Sequence, residues 1–152
     1  MDPDPYCSPL LLFAENVDFH AIAYILLLIL LFMVSALMSG SETALFSLSK
    51  SEIETFRSSR NPSEENVARL LEKPERLLAT ILIVNNFVNI GIVLIFEYLL
   101  RYYLIIEHPV LRVVVSVVLT TFLLVLFGEV LPKVYATGNY KGFSRFASGP
   151  MT

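Results

Sequence analysis

The 152-residue chain is 55% hydrophobic and only 16% charged, against about 25% charged in an ordinary soluble domain. Its mean hydropathy of +0.67 exceeds what one soluble core of this length can bury, and it excludes intrinsic disorder, which needs low hydrophobicity and high net charge. A net charge of −3 excludes a basic nucleic-acid binder, and the single cysteine, Cys7, excludes an internal disulfide framework and a cysteine-rich metal site.

What remains is an all-α integral membrane protein of one compact unit. Residues 1–19 form an N-terminal segment without Lys or Arg. It lacks the basic region of a signal peptide, so no removable leader is expected. A bilayer span needs roughly 20 apolar residues. The first such stretch is 21–38, with no charge in it. Residues of about 41–74 then read as amphipathic helices lying at a membrane surface. Leu45, Leu48, Ile53 and Phe56 recur among Ser, Glu, Lys and Arg over Ser41–Arg60. Asn61-Pro62-Ser63 is a turn, with Ser63 as the predicted N-cap. Val67, Leu70 and Leu71 continue an apolar strip up to Pro74. The second span is 77–96 and the third is 109–128. The stop at Thr152, shortly after the third span, is expected to be a cut within a longer protein, with 149–152 a truncated tail.

Orientation follows from Lys and Arg. The segment 39–76 carries Lys50, Arg57, Arg60, Arg69, Lys73 and Arg76, and the tail carries Lys133, Lys141 and Arg145. The 97–112 connection has only Arg101 and Arg112. The expectation is N-terminus outside, 39–76 inside, an outer loop near 101–108 and the C-terminus inside. Tyr98, Tyr102 and Tyr103 fit an outer aromatic belt. His20 and His108 flank outer span ends and read as interfacial residues.

Three places put polar groups where lipid makes them expensive. Ser39 and Thr43, spaced i, i+4, share a helix face beside the small-residue strip Ala36, Gly40, Ala44. Close helix packing alone accounts for that strip, and a cation-facing hydroxyl pair is the alternative. Asn86 and Asn89 lie on roughly one face of the second span, with Asn85 pointing elsewhere. Interhelical hydrogen bonding is the plainer account of such amides, and an oxygen aimed at a cation is the alternative. Gly91 reads as a packing residue. Glu129 ends the third span, and an ionisable residue there is a functional candidate. Pro132 has no N–H, so the Gly128 carbonyl loses its α-helical donor. A Pro-ended helix whose Glu129 reaches interfacial water is the plainer account. Together these are hard oxygen donors, suited to Mg²⁺ or Ca²⁺ and poorly suited to Cu or Zn.

The runs Ser39-Gly40-Ser41-Glu42-Thr43-Ala44-Leu45, Asn86-Phe87-Val88-Asn89 and Gly128-Glu129-Val130-Leu131-Pro132-Lys133 follow in that order. With three spans around them, residues 20–148 resemble the DUF21 transmembrane domain of the cyclin M / CorC magnesium-transporter family, in a bacterial haemolysin-like or gliding-motility-associated branch. The resemblance implies a homodimer in the inner (plasma) membrane, a cytoplasmic belt of short helices, and Mg²⁺ export coupled to Na⁺. It implies Mg²⁺ ligands at Ser39, at Asn86 in preference to Asn89, at the Gly128 carbonyl and at Glu129, with Thr43 a further hydroxyl. It also implies a CBS module, absent from these residues. The rival is a membrane-anchored sensor or scaffold whose bound ion is structural. No Ser/His/Asp set, phosphate-binding Gly loop or HExxH motif points to an enzyme.

Overall fold

A computed structural model describes residues 19–103 and 108–151. The expected N-terminal segment up to Asp18, Cys7, the middle of the outer loop (104–107) and Thr152 lie outside the described residues. Among those described, the fold is all-helical. The helices are α1 (Phe19–Phe46), α2 (Lys50–Arg57), α3 (Pro62–Leu70), α4 (Pro74–Tyr103) and α5 (Pro109–Leu123). A π-helical segment, Leu124–Val130, continues α5 directly into α6 (Leu131–Gly138), and α7 (Tyr140–Met151) closes the chain. Three helical stretches are long and apolar enough to cross a membrane: Phe19–Phe46, Pro74–Tyr103 and Pro109–Gly138.

Each stretch outruns its apolar run. At 1.5 Å per residue, the 28 residues of α1 span about 42 Å, against about 30 Å of hydrocarbon. Ser41–Phe46, expected to open the surface helices, therefore extends α1. The break comes at Ser47–Ser49, where Ser49 builds a capping box on α2: its side chain accepts from the Glu52 N–H, and the Glu52 carboxylate accepts from the Ser49 N–H. The α3 cap is Asn61, whose side chain accepts from the Ser63 N–H at 3.1 Å. Ser63 is thus the second helical residue rather than the cap, because Pro62, with its φ preset, takes the first position.

Two kinds of packing meet on α1. Near its Phe46 end, α1, α2, α3 and α4 enclose an ordinary apolar core of Leu45, Leu48, Phe56, Val67, Leu77 and Ile81. α7 is clamped over the α2–α3 pair by polar contacts. Lys141 pairs with Glu52 at 2.7 Å and Arg145 with Glu64 at 2.6 Å. The Tyr140 hydroxyl donates to Glu52 at 3.0 Å. The Arg145 guanidinium also lies 5.6 Å from the centre of the Phe56 ring. Sequence patterning assigned no element to this helix.

Along the spans the arrangement is inverted. Leu26, Leu30, Met33, Phe87, Leu94, Val117 and Phe122 point outward, while Ala21, Ser35, Ser39, Gly40, Ser116, Thr120 and Gly128 are buried between helices. Hydrocarbon provides no hydrophobic drive for helix association, so small residues and hydrogen bonds do the work. Gly91 fits that pattern: a β-carbon there would lie 3.3 Å from Leu31 Cδ1. The Ala36/Gly40/Ala44 strip is not an open surface. Ala44 is fully buried, and a β-carbon on Gly40 would lie 2.5 Å from Phe143 Cζ of α7.

Candidate functional site

The third span changes register where its sequence becomes polar. Over Leu124–Val130 the backbone bonds run i→i+5, and the last of these joins the Leu131 N–H to the Leu126 carbonyl. The next donor would belong to Pro132, which has none. In π register that missing N–H would serve Phe127, and in α register Gly128. Pro132 supplies neither carbonyl. Sequence spacing assumed α register and so pointed to Gly128 alone. Single π turns recur at functional sites because the extra residue re-aims the side chains around it.

Gly128 is buried and faces Ser35 of α1. A β-carbon on it would lie 2.9 Å from the Ser35 hydroxyl oxygen. That hydroxyl, fully buried, is shared between two side-chain oxygens of α4: Asn89 Oδ1 at 2.8 Å and Asn85 Oδ1 at 3.2 Å. One turn further along α1, the buried Ser39 hydroxyl donates to the Glu129 carbonyl at 3.4 Å. Three helices thus converge at one level through Ser35, Ser39, Asn85, Asn89, Gly128 and Glu129. The Glu129 carboxylate is half-buried and has no hydrogen-bond or ion-pair partner among the described residues.

Of the predicted residues, Ser39, Asn89, Gly128 and Glu129 are brought together. Asn86 is not. It is exposed and lines a surface recess with Asn89, Ile90, Val93 and Leu94. The placing of Asn85 on another face was wrong: it shares the Ser35 hydroxyl with Asn89, because at 100° per residue Asn85 and Asn89 are about 40° apart on the helix wheel, closer than the roughly 60° between Asn86 and Asn89. Thr43 points back along its own helix, its hydroxyl 3.5 Å from the Ser39 carbonyl. Ser35 was missed. Ser35 carried a signal, being the lone serine within the first apolar run, one turn before Ser39.

The chemistry available is that of hard oxygens with one charge. Among the described residues no three His, Cys, Asp or Glu side chains cluster, so neither a carboxylate-rich cage nor a zinc-type site is present there. One turn beyond the cluster, Lys133 pairs with Glu42 at 3.3 Å. Outside the spans, the Lys141 ammonium, helped by the Ser49 N–H and hydroxyl, holds the Glu52 carboxyl down to about 2.

A three-span helical domain whose helices meet through oxygen donors around one unpaired carboxylate belongs to the class of polytopic membrane domains built around an intramembrane polar site. Comparison with known proteins narrows the class. The chain matches the cyclin M transmembrane N-terminal domain over residues 25–152, and it belongs to that family. It is 35% identical over 128 residues to a "UPF0053 protein" of Haemophilus influenzae, covering 84% of this chain and 29% of that one. It is also 35% identical over 104 residues to the "UPF0053 inner membrane protein YfjD" of Escherichia coli, covering 68% of this chain and 23% of the relative. The chain therefore spans less than a third of the length of the curated relatives it matches.

Proposed function

We propose that this chain is the membrane domain of a transporter of Mg²⁺ or a like divalent cation, working by alternating access. One observation carries the reading. Inside a membrane span, a π segment ended by Pro132 sets an unpaired carboxylate, Glu129, and the buried Gly128 against Ser39 and the Ser35–Asn89 pair. Mg²⁺ takes oxygen ligands, keeps several waters and is held by one or two carboxylates. One carboxylate among neutral oxygens binds it weakly enough to release it. The cation leaves the cytoplasm, loses part of its water to Glu129, the Gly128 carbonyl, Ser39 and Asn89, and exits when the spans rearrange. Thr43, whose hydroxyl turns to the Ser39 carbonyl of its own helix, is left out of this ligand set. Na⁺ at these same oxygens would lower Mg²⁺ affinity and drive export.

The excess of Lys and Arg at 39–76 and after 132 supports an N-out, C-in orientation. The word "inner membrane" in the name of the Escherichia coli relative supports a multi-pass place in the inner membrane. Asn86 supports a homodimer. Its carboxamide is exposed beside Phe87, Ile90 and Val93, on a face that would otherwise meet hydrocarbon, and a polar group there needs a partner. A second copy of the same face supplies one. The greater length of the relatives, of which the matched stretches cover 29% and 23%, supports a regulatory CBS module beyond these residues.

The test is Mg²⁺ flux in sealed proteoliposomes with and without a Na⁺ gradient. Flux that rises with the gradient is expected. Mg²⁺ binding without flux, in this chain and in the full-length protein alike, would instead favour a sensor or scaffold with a structural ion.

A further inference from the structure

Lys133 pairs with one carboxylate and follows a second by four residues. Its ammonium lies 3.3 Å from Glu42 of α1, with both side chains close to half exposed. Lys133 also follows Glu129 by four residues in a continuous helical path. Acid first and base four residues on is the order in which helix-borne Glu and Lys pair best. The register across the two helices is regular: Glu42 follows Ser39 by three residues, and Lys133 follows Glu129 by four. The Ser39–Glu129 contact and the Glu42–Lys133 pair are therefore successive rungs between α1 and the third span. The lysine is engaged on the later rung, Glu42–Lys133, and the Glu129 carboxylate on the earlier rung is left unpaired.

We propose that Lys133 is a tethered cation that exchanges between Glu42 and Glu129. This rests on reading Glu129 as the cargo carboxylate. Parked on Glu42, the ammonium leaves Glu129 open to a divalent ion. Turned to Glu129, it neutralises the emptied site, so that no bare carboxylate has to persist in a low-dielectric span, where an unpaired charge is costly. An ammonium and a divalent cation compete for the same oxygens, so the lysine lowers cargo affinity whenever Glu42 does not hold it. Glu42 is then a positioning residue. It touches no cargo, and it acts by holding Lys133 away.

Two readouts on the purified chain test this. The first is Mg²⁺ titration of the parent, E42Q, K133Q and the E42Q/K133Q double variant. E42Q should weaken binding about two- to fivefold, the fold-change of an exposed ion pair. K133Q should bind more tightly than the parent, and the double variant should match K133Q. A double variant as weak as E42Q would overturn the proposal, since Glu42 would then act on the cargo itself. The second readout is zero-length carbodiimide cross-linking read by mass spectrometry, which needs no cargo. In the parent, Lys133 should form its amide with Glu42. In E42Q the amide should move to Glu129 and be suppressed by Mg²⁺. No Glu129–Lys133 amide in E42Q would also overturn the proposal. An amide that forms there but is indifferent to Mg²⁺ would keep the lysine exchange and remove the cation reading of Glu129.

Discussion

Ser35 lies directly against Gly128. A β-carbon on the glycine would sit 2.9 Å from the serine hydroxyl oxygen, which already donates to Asn89 at 2.8 Å. Glycine is required there by close approach, since its φ is negative like that of every glycine described. Gly128→Ala should push the hydroxyl off its rotamer and break the link to α4. The expected cost is about 1–3 kcal/mol, together with loss of Mg²⁺ binding. Thermal unfolding in detergent and Mg²⁺ titration check this, and adding Ser35→Gly should recover part of the stability but not the binding.

The two neighbouring amides should separate cleanly. Asn85→Ala removes one of the two acceptors of Ser35 and should lower the stability of the monomer by up to about 1 kcal/mol, read as a lower Tm. Asn86→Ala should leave monomer stability unchanged and weaken self-association, as read by analytical ultracentrifugation in detergent. Equal effects of the two substitutions on monomer Tm would contradict the assigned faces.

The spans were legible because charge is nearly absent from them, Arg112 alone standing near one end of the third, and the three-span topology followed. Their ends were not, because α1 carries its helix beyond the apolar run through Ser41–Phe46, where packing of Leu45 against Phe56 and Val67 replaces lipid. Ser39, Asn89, Gly128 and Glu129 were readable as polar groups in the wrong solvent. Their partner Ser35 was not singled out, since a serine in a membrane helix can satisfy itself on its own backbone, as Ser41 does on the Leu37 carbonyl. The π segment has no hydrophobic period of its own. Only Gly128 and Pro132 hinted at it, and the hint was read in α register. α7 was missed because its partners are distant in sequence: Lys141 pairs with Glu52, Arg145 with Glu64, and Phe143 packs on Gly40.

Gly40 makes a second close approach. Gly40→Ala places a methyl group 2.5 Å from the tip of the Phe143 ring. The ring must swing out, loosening α7 from α1. Limited proteolysis should cut within Tyr140–Met151 faster in this variant, and Phe143→Ala added to it should restore much of the protection by removing the obstructing ring.

The α7 clamp should respond to acid through Glu52. Its carboxyl is lowered from 4.5 to about 2, chiefly by Lys141 and then by Ser49. A depressed folded-state pKa contributes stability that is fully present above the unfolded value and is lost as pH falls through the folded one. Docking of α7 should therefore be constant above about pH 5 and weaken progressively between about 4.5 and 2. Amide hydrogen exchange of Tyr140–Met151 checks this. Glu52→Gln should show weaker protection at neutral pH and a flatter response over that interval.

The most direct measurement is Mg²⁺ flux in sealed proteoliposomes, comparing the parent with Glu129→Gln under an imposed Na⁺ gradient. The substitution keeps shape and hydrogen bonding and removes the one full negative charge in the polar cluster. The account predicts Na⁺-dependent flux in the parent and its loss in Glu129→Gln. Flux at the parent rate without the Glu129 charge would contradict it.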